Sequence, residues 1–316
     1  MDSTKPMIGI SACVLGQEVR FDTGHKKSQI CVNDFAKHVE YEAVCPELAI
    51  GMSLPRKPIR QIAYPDRIAV SQATGDGDVT QALTAFSARK SQTLSHLSGF
   101  IFCQKSPSCG MERVKVYYEH GKGSQSNGIG VFARAVMEAN PLLPCEENGR
   151  LNDDFLRENF VTRVFAYHAW QSMLSSGLTK HKLIAFHSRY KYLLMSHHLE
   201  SYKAVGRLLG QSCLPLDELA ALYIEGLMSG LKHLASRKSH TNTLFHLQGY
   251  LKKELNKVQK QEMVEKINAY RGGKAPLLVP LTLIEHYLRS SNDQQYLASQ
   301  VYLSPYPEDL KLRYGY

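Results

Sequence analysis

The sequence has no long hydrophobic run and no secretion signal. No segment approaches the roughly 20 apolar residues that a membrane-spanning helix needs. The first residues also lack the basic and apolar regions of a signal peptide. No internal repeat of fixed period and no low-complexity tract is present. We therefore expect a folded protein of the cytoplasm with no role at a membrane.

Closely spaced cysteine pairs are missing as well. The chain has seven cysteines, an odd number, scattered without the Cys-x-x-Cys spacing of a zinc ribbon. In a chain without a secretion signal, this pattern argues against a framework of disulfide bonds. The thiols are therefore expected to be free, metal-bound or catalytic.

Net charge is nearly absent from the first half of the chain. Residues 1–149 carry 16 Lys and Arg against 15 Asp and Glu, whereas residues 150–316 carry 22 against 14, a net charge of +8. Such a surplus favours a polyanionic partner such as nucleic acid, with binding that weakens as salt rises. The alternative is a well-solvated helical surface without such a partner.

Three short apolar runs, at residues 7–13, 41–45 and 99–103, each end at a cysteine. Helical patterns follow between them at 78–96 and after them at 127–139. Continuous apolar runs that alternate with helices are typical of buried parallel strands. We therefore predict an α/β domain over residues 1–149, Rossmann-like with a mostly parallel sheet. It ends where prolines and an Asn-Gly pair break the pattern at 141–149.

Strand signals disappear from Asn152 onward. Apolar residues then recur at helical spacing in a succession of segments. These segments are residues 152–170, 180–195, 202–209, 217–234, 241–255, 257–270 and 280–288. We therefore predict an all-α domain over residues 150–316.

Three of the cysteines are expected to meet. Cys13 and Cys45 end predicted strands, and Cys109 lies in the loop after the third strand. Loops that follow parallel strands gather at one edge of the sheet. Soft thiolates at one place suit zinc, copper or an iron–sulfur cluster. The alternative is that these are buried free cysteines acting as small apolar residues.

Six motifs in the N-terminal half of the chain resemble the thiouracil desulfidase family in order and spacing. They are Ser11-Ala12-Cys13-Val14-Leu15-Gly16, Val19-Arg20-Phe21-Asp22, Cys45-Pro46-Glu47, Pro55-Arg56-Lys57-Pro58-Ile59-Arg60, Gly77-Asp78-Val79-Thr80 and Ser106-Pro107-Ser108-Cys109-Gly110. The resemblance covers most of residues 7–149. Six motifs in sequence are far more specific than any one of them.

The second half resembles the helical domain fused to long members of that family, which act on 4-thiouridine in transfer RNA. The segments that carry this resemblance are His187-Ser188-Arg189-Tyr190-Lys191, Leu247-Gln248-Gly249-Tyr250-Leu251-Lys252-Lys253, Pro276-Leu277-Leu278-Val279-Pro280-Leu281-Thr282 and Tyr302-Leu303-Ser304-Pro305-Tyr306-Pro307. The resemblance implies a transfer RNA partner for this domain. No membrane contact and no protein partner are predicted.

The resemblance also implies a cofactor and a set of site residues. A 4Fe-4S cluster is expected on Cys13, Cys45 and Cys109, with the fourth iron open to bind a thiocarbonyl sulfur. Glu47 and Ser106 fall at the family's catalytic positions. The alternatives are that Glu47 caps a helix and that Ser106 makes a local backbone hydrogen bond.

Three further residues are candidates for substrate binding: Asp22, Arg56 and Ser108. Asp22 with Arg20 would orient the pocket, or form a purely structural ion pair. Arg56, in a basic loop with Lys57 and Arg60, would meet a phosphate unless that loop is simply solvated. Ser108 is the weaker serine candidate, and it shapes the turn if it does not contact substrate.

The other titratable residues are expected to be bystanders. Cys31, Cys103, Cys145 and Cys213 match no ligand position of the family, although Cys103 lies just before the loop that carries Cys109. The histidines of the second half show no metal-binding spacing. No metal is therefore expected in the helical domain.

Two basic stretches of the helical domain include tyrosines, a combination that suits unpaired bases of RNA. One contains Lys252, Lys253, Lys257 and Lys260 with Tyr250, and the other contains Lys180, Lys182, Arg189 and Lys191 with Tyr190 and Tyr192. The alternative is that these tyrosines belong to the helical core.

Three functions remain open on the sequence. The first is a desulfidase that converts 4-thiouridine in transfer RNA to uridine and hydrogen sulfide without net redox chemistry. The second is a desulfidase of free thiopyrimidines whose helical domain serves stability or oligomerisation. The third is a non-catalytic iron–sulfur sensor that binds nucleic acid, but a sensor needs no acid–base pair such as Glu47 and Ser106.

Overall fold

The structure, a computed structural model, describes residues 5–74, 76–119, 123–210, 213–252, 254–289 and 295–313. Its Cα positions separate the chain into two units, Met1–Asp153 and Asp154–Tyr316. Each unit is described by itself. Lys253, expected in one of the basic stretches, lies outside the described residues.

The described residues of the N-terminal unit form eight strands and three α-helices. In chain order these are β1 (Met7–Ser11), β2 (Glu40–Val44), α1 (Pro46–Ala49), β3 (Ile59–Ala63), β4 (Ile68–Gln72), α2 (Thr80–Ser91), β5 (Gly99–Phe102), β6 (Val114–Tyr118), β7 (Ser124–Gly128), α3 (Val131–Ala139) and β8 (Cys145–Glu147).

The first sheet has the order β2-β1-β5-β8, and all its neighbouring strands are parallel. Ile8 pairs with Tyr41 on one side and with Gly99 on the other, which fixes the register of β1 against β2 and β5. All four residues of β5 are buried, as expected for a strand covered on both faces. The predicted parallel α/β sheet is therefore confirmed. The carboxyl ends of β1, β2 and β5 lie at the same edge.

A second sheet, with the order β4-β3-β6-β7, corrects the sequence prediction in this region. Its two hairpins are antiparallel, and β3 and β6 are joined in parallel. Residues 127 and 128, predicted to open a helix, belong to β7, and α3 begins only at Val131. Pairing with β6 satisfies the backbone of this polar strand, whereas its sequence has no apolar period. Likewise residues 145–147, within the predicted break, form β8.

Aromatic packing fills the space between the parallel sheet and α3. Phe100 and Phe102 stack with ring centroids 4.4 Å apart, and Phe132 of α3 meets Phe100 edge to face at 5.7 Å. A Cβ at Gly9 would lie 2.3 Å from the Phe100 ring. Only glycine therefore fits at position 9 of β1, beside Phe100.

All the regular secondary structure among the described residues of the C-terminal unit is helical, as predicted. Its helices are α4 (Asp154–Ser175), α5 (Lys180–His197), α6 (Leu199–Gly210), α7 (Leu216–Leu231), α8 (Arg237–Leu251), α9 (Lys257–Arg271), α10 (Leu278–Arg289) and α11 (Gln295–Ala298). No helix among the described residues is long and apolar enough to cross a membrane.

Buried polar contacts fix the end of the chain onto α4 and α8. The Glu158 carboxylate accepts hydrogen bonds from Tyr306 at 2.8 Å and from Arg313 at 2.9 Å. Arg313 also donates to the Tyr302 carbonyl at 2.6 Å, and the Tyr302 hydroxyl lies 2.9 Å from His240 Nδ1. One segment of the resemblance, residues 302–307, therefore contributes to the stability of the helical unit.

We predict that the helical unit loses stability as the pH falls below about 6.5, the usual pKa of histidine. Burial and the charges of Arg313, His197 and Arg237 hold the pKa of His240 well below its usual range. At this pH the unfolded chain therefore binds a proton at His240, whereas the folded unit does not. This stability is complete above the unfolded pKa and falls by up to about 1.4 kcal/mol per pH unit as the pH decreases.

The measurement is urea unfolding at about pH 7.5 and about pH 5.5, a range in which His187 and His197, whose pKa burial lowers to about 4, add pH dependence of their own. The chain's only tryptophan is Trp170, buried in the helical unit, so its fluorescence follows this unit. His240→Gln should flatten the pH dependence by about one proton. Equal pH dependence in this variant and the parent would contradict the assignment to His240.

Candidate active site

A cavity of about 250 Å³ opens at the carboxyl ends of β1, β2 and β5. All three cysteines predicted as ligands line it, together with Glu47 and Ser106. The parallel register explains this convergence, because the three strands end at one edge. The remaining lining residues are Ser11, Ala12, Val19, Arg20, Phe21, Lys26, Val44, Pro46, Pro58, Ile59, Cys103, Gln104, Lys105 and Pro107.

Cys109 is buried, and Cys13 and Cys45 are half-buried. Burial raises the pKa of Cys109 and of Cys45. A hydrogen bond with Cys103, followed by burial, raises the pKa of Cys13. A metal that binds these thiolates must therefore displace protons, and its affinity should rise with pH.

The donor set fits an iron–sulfur cluster better than a single ion. Among the residues that the structure describes, no three His, Cys, Asp or Glu side chains are placed to hold one metal ion. Cys13, Cys45 and Cys109 nevertheless share one cavity. In an iron–sulfur cluster each iron takes its own cysteine, so the thiolates need not meet at a point.

Cys103, expected to be a bystander, is a fourth thiol in the cavity. It is 3% exposed, and its backbone N–H donates to Ser11 Oγ at 3.0 Å. Its place follows from the parallel pairing of β1 and β5, because it directly follows the last residue of β5.

Glu47 is held on both carboxylate oxygens. Oε1 accepts a hydrogen bond from Ser108 Oγ at 2.7 Å, and Oε2 is paired with the Arg56 guanidinium. The Glu47 side chain is 18% exposed and that of Arg56 is 5% exposed. Arg56 also donates to the Val19 carbonyl at 3.0 Å. A partly buried carboxylate with two fixed partners has one preferred orientation.

The two serines of the Cys109 loop are joined to Glu47 in series. Ser106 Oγ lies 3.0 Å from Ser108 Oγ, which donates to Glu47. Ser106 Oγ also accepts the backbone N–H of Cys109 at 3.1 Å. Ser106 lines the cavity, whereas Ser108 is fully buried. Ser106 at the cavity wall is therefore connected to Glu47 by hydrogen bonds that pass through the Ser108 hydroxyl.

Residues that sequence reasoning missed hold this loop in place. Gln61 of β3 donates to the Pro107 carbonyl at 3.0 Å and to the Ile129 carbonyl at 2.7 Å. Gly130 donates its N–H to the Gly110 carbonyl at 2.7 Å, and a Cβ there would lie 2.5 Å from the Ser108 carbonyl. Two glycines just before α3 were the only sequence signal of this close approach.

The candidate substrate contacts are placed differently from one another. Asp22 is 52% exposed, lies 3.6 Å from Arg20, and accepts the Gly24 N–H at 3.1 Å. Arg20 lines the cavity and Asp22 does not. The Arg56 guanidinium is paired with Glu47, and its side chain is too little exposed to meet a phosphate in solvent. Direct contact of Asp22, Arg56 or Ser108 with substrate stays a prediction.

The rest of the basic loop does not act as one patch. Arg60 donates to the Ala73 carbonyl at 2.6 Å and covers the Tyr117 ring at 4.5 Å, whereas Lys57 is exposed. Two other cations, Lys26 and Lys105, line the cavity. Lys105 directly precedes Ser106 in the loop that carries Cys109, whereas the sequence around Lys26 gave no indication that it would lie here.

Comparison with known proteins finds two families in the chain. The family described as 2-thiouracil desulfurase matches residues 8–148. The family described as protein of unknown function (DUF1722) matches residues 191–307. A solved structure titled 4Fe-4S-dependent thiouracil desulfidase TudS is 25% identical in sequence, over 47% of this chain and 94% of that chain, with a TM-score of 0.38.

A relative is known from Escherichia coli strain K12. The uncharacterized protein YbgA is 31% identical over 160 residues, which cover 50% of this chain and 94% of YbgA. The chain therefore belongs to the family of YbgA, and it joins a 2-thiouracil desulfurase domain to a DUF1722 domain.

Proposed function

We propose that the chain is a desulfidase that cleaves the carbon–sulfur bond of a thiolated pyrimidine, with 4-thiouridine in transfer RNA as its substrate. The overall reaction consumes a thiocarbonyl and water and yields a carbonyl and hydrogen sulfide, so no electrons are exchanged. One observation carries the proposal. The clamped Glu47 carboxylate, the Ser106 hydroxyl connected to it through Ser108, and the three cysteines expected as ligands line the same cavity.

Cys13, Cys45 and Cys109 would hold the 4Fe-4S cluster. When bound by three cysteines, the cluster supplies an iron without a protein ligand, which is a Lewis acid with affinity for soft sulfur. The family match at residues 8–148 and the shared cavity support this assignment.

The chain's own residues supply the proton transfers. Glu47 accepts a proton from the water that attacks C4 of the pyrimidine, because its carboxylate faces the cavity and its orientation is fixed. Ser106 holds the pyrimidine or passes a proton, and Ser108 links Ser106 to Glu47. Arg56 keeps the carboxylate in place during these steps.

Charge supports a nucleotide within a polymer as the substrate. Arg20, Lys26 and Lys105 line the cavity alongside Glu47, whose carboxylate is already paired with Arg56. Their charge suits phosphates that flank a base in the cavity, and a bound anionic cluster would offset part of it. The net charge of +8 over residues 150–316 extends this preference for a polyanion.

The second candidate is a desulfidase of free thiopyrimidines. The 2-thiouracil desulfurase match favours it, because a free base needs only the cavity. To decide, protein reconstituted anaerobically with iron and sulfide is given thiolated transfer RNA, 4-thiouridine or 2-thiouracil. We expect loss of thiocarbonyl absorbance with the highest kcat/KM for the RNA. Equal or higher kcat/KM for a free base would favour the second candidate, and loss with none would refute both.

Glu47→Gln should retain the cluster and lower kcat at least about 100-fold, the usual effect of removing a general base. Cys109→Ser should lose both the cluster and the activity, because a ligand is gone. Iron content, visible absorbance and kcat are measured together. Glu42→Gln is the matched control, since Glu42 is also ion-paired in this unit but does not line the cavity. Near-parent turnover in Glu47→Gln would contradict its role as base.

Ser108→Ala should lower kcat about 10-fold, as loss of a supporting hydrogen bond commonly does, with KM changed less than about twofold. The reason is that Ser108 orients Glu47 without lining the cavity. Ser106→Ala, which alters the cavity wall, should change both kcat and KM. Ser87→Ala controls for removal of an equally buried serine in the same unit. A selective rise in KM for Ser108→Ala would instead indicate substrate contact.

A further inference from the structure

The helical unit carries a group of tyrosines around one ammonium. Lys191 Nζ lies 5.0 Å from the Tyr192 ring centroid and 5.2 Å from that of Tyr296. The Tyr250 ring lies edge to face with Tyr192 at 6.3 Å and tilted against Tyr296 at 5.6 Å. We refer to Lys191, Tyr192, Tyr250 and Tyr296 as the tyrosine–lysine cluster. It joins parts of the two basic stretches that the sequence kept apart.

This cluster differs from the aromatic core of the same unit. In the core, Tyr190 stacks on Phe186 at 4.3 Å and Trp170 stacks on Tyr223 at 5.6 Å, and all four side chains are buried. Tyr190 therefore follows the core alternative, and so does Tyr192, which is 3% exposed. Tyr250 is 43% exposed, so part of its ring is available to a ligand.

The two helices that carry most of the cluster are free of acidic residues. The eighteen residues of α5 include four Lys and Arg and no Asp or Glu. The fifteen residues of α8 include Arg237 and Lys238 and no Asp or Glu. The helix α5 packs against α8. The exposed tyrosine can stack on a flat ring, and the positive charge of the two helices favours an anion. A ligand that is anionic and also has flat rings is therefore complementary to this surface.

We propose that Tyr250 is a stacking platform for an unpaired base of RNA, and that Lys252 contacts a flanking phosphate. Naming RNA as the ligand rests on the proposed function. Tyr250 offers a ring on which any base can stack. Tyr192 and Tyr296 hold that ring in place, and Lys191 is fixed between their faces, so little conformational freedom is lost on binding. Exposed Lys252 lies two residues beyond Tyr250.

Binding of the full chain to a labelled, unthiolated transfer RNA transcript tests the platform by fluorescence anisotropy. Tyr250→Ala should raise Kd about fivefold or more, the lower end of what one lost base stack costs. Tyr250→Phe should bind like the parent, because stacking does not need the hydroxyl. Tyr118→Ala is the matched control, since Tyr118 is 42% exposed on β6 of the other unit.

Salt dependence separates stacking from charge. Lys252→Gln should reduce the slope of log Kd against log salt by about one phosphate contact, whereas Tyr250→Ala should raise Kd with the slope unchanged. For the desulfidation reaction, Tyr250→Ala should lower the ratio of kcat/KM for thiolated RNA to kcat/KM for free 4-thiouridine about fivefold.

The outcomes distinguish the platform from the proposed function. An unchanged Kd in Tyr250→Ala, or an equal loss in Tyr118→Ala or Tyr250→Phe, overturns the platform whether or not sulfur is removed. If Tyr250→Ala binds the transcript more weakly than the parent and the parent desulfurises no substrate, the platform is supported and the proposed function is overturned. A parent chain that does not bind the transcript overturns the platform and the RNA substrate together.

Discussion

The ion pair between Glu47 and Arg56, completed by the Ser108 hydroxyl, is the contact on which the site depends. It joins the Cys45 turn to the 106–110 loop and to the backbone at Val19. Breaking a largely buried ion pair by removing one partner typically costs about 3 kcal/mol or more, because the remaining charge is left without compensation. The same contact therefore aligns the carboxylate and holds together three segments that each present a side chain to the cavity.

Two strands of the parallel sheet, β1 and β5, were predictable because they are continuous apolar runs that can be recognised without knowing their pairing partners. The second sheet was not, because strands such as β7, Ser-Gln-Ser-Asn-Gly, have no apolar period and exist through pairing with β6. The short strand β8 is a similar case. It includes buried Glu147, which accepts the Met111 N–H at 2.7 Å. The helical unit was foreseen more fully, since its period of 3.6 persists over long segments.

The composition of the site followed from motifs, whereas its connections did not. Sequence order places Cys13, Cys45, Glu47 and Ser106 in loops that should meet, and they line one cavity. It cannot place the Arg56 guanidinium, because a long side chain on a loop has several charges within reach. The motifs ranked Ser106 above Ser108, but they could not show that Ser108 is the serine that donates directly to Glu47. Their orientations are set by Gly130 and Gln61, which are distant in sequence and approach only in the folded unit.

A polymer substrate imposes an energetic demand that a free base does not. Taking a nucleotide out of folded RNA costs a few kcal/mol of stacking and pairing, and a cavity of about 250 Å³ contacts little beyond that nucleotide. The cost must be offset by binding elsewhere. One base stacked on an aromatic ring contributes about 1–3 kcal/mol, and phosphate contacts add to it. Binding of thiouracil needs no basic helical domain with an exposed tyrosine. For thiolated RNA, the binding free energy that such a domain can contribute is similar to the cost of extracting the nucleotide, and the proposed function therefore favours the polymer.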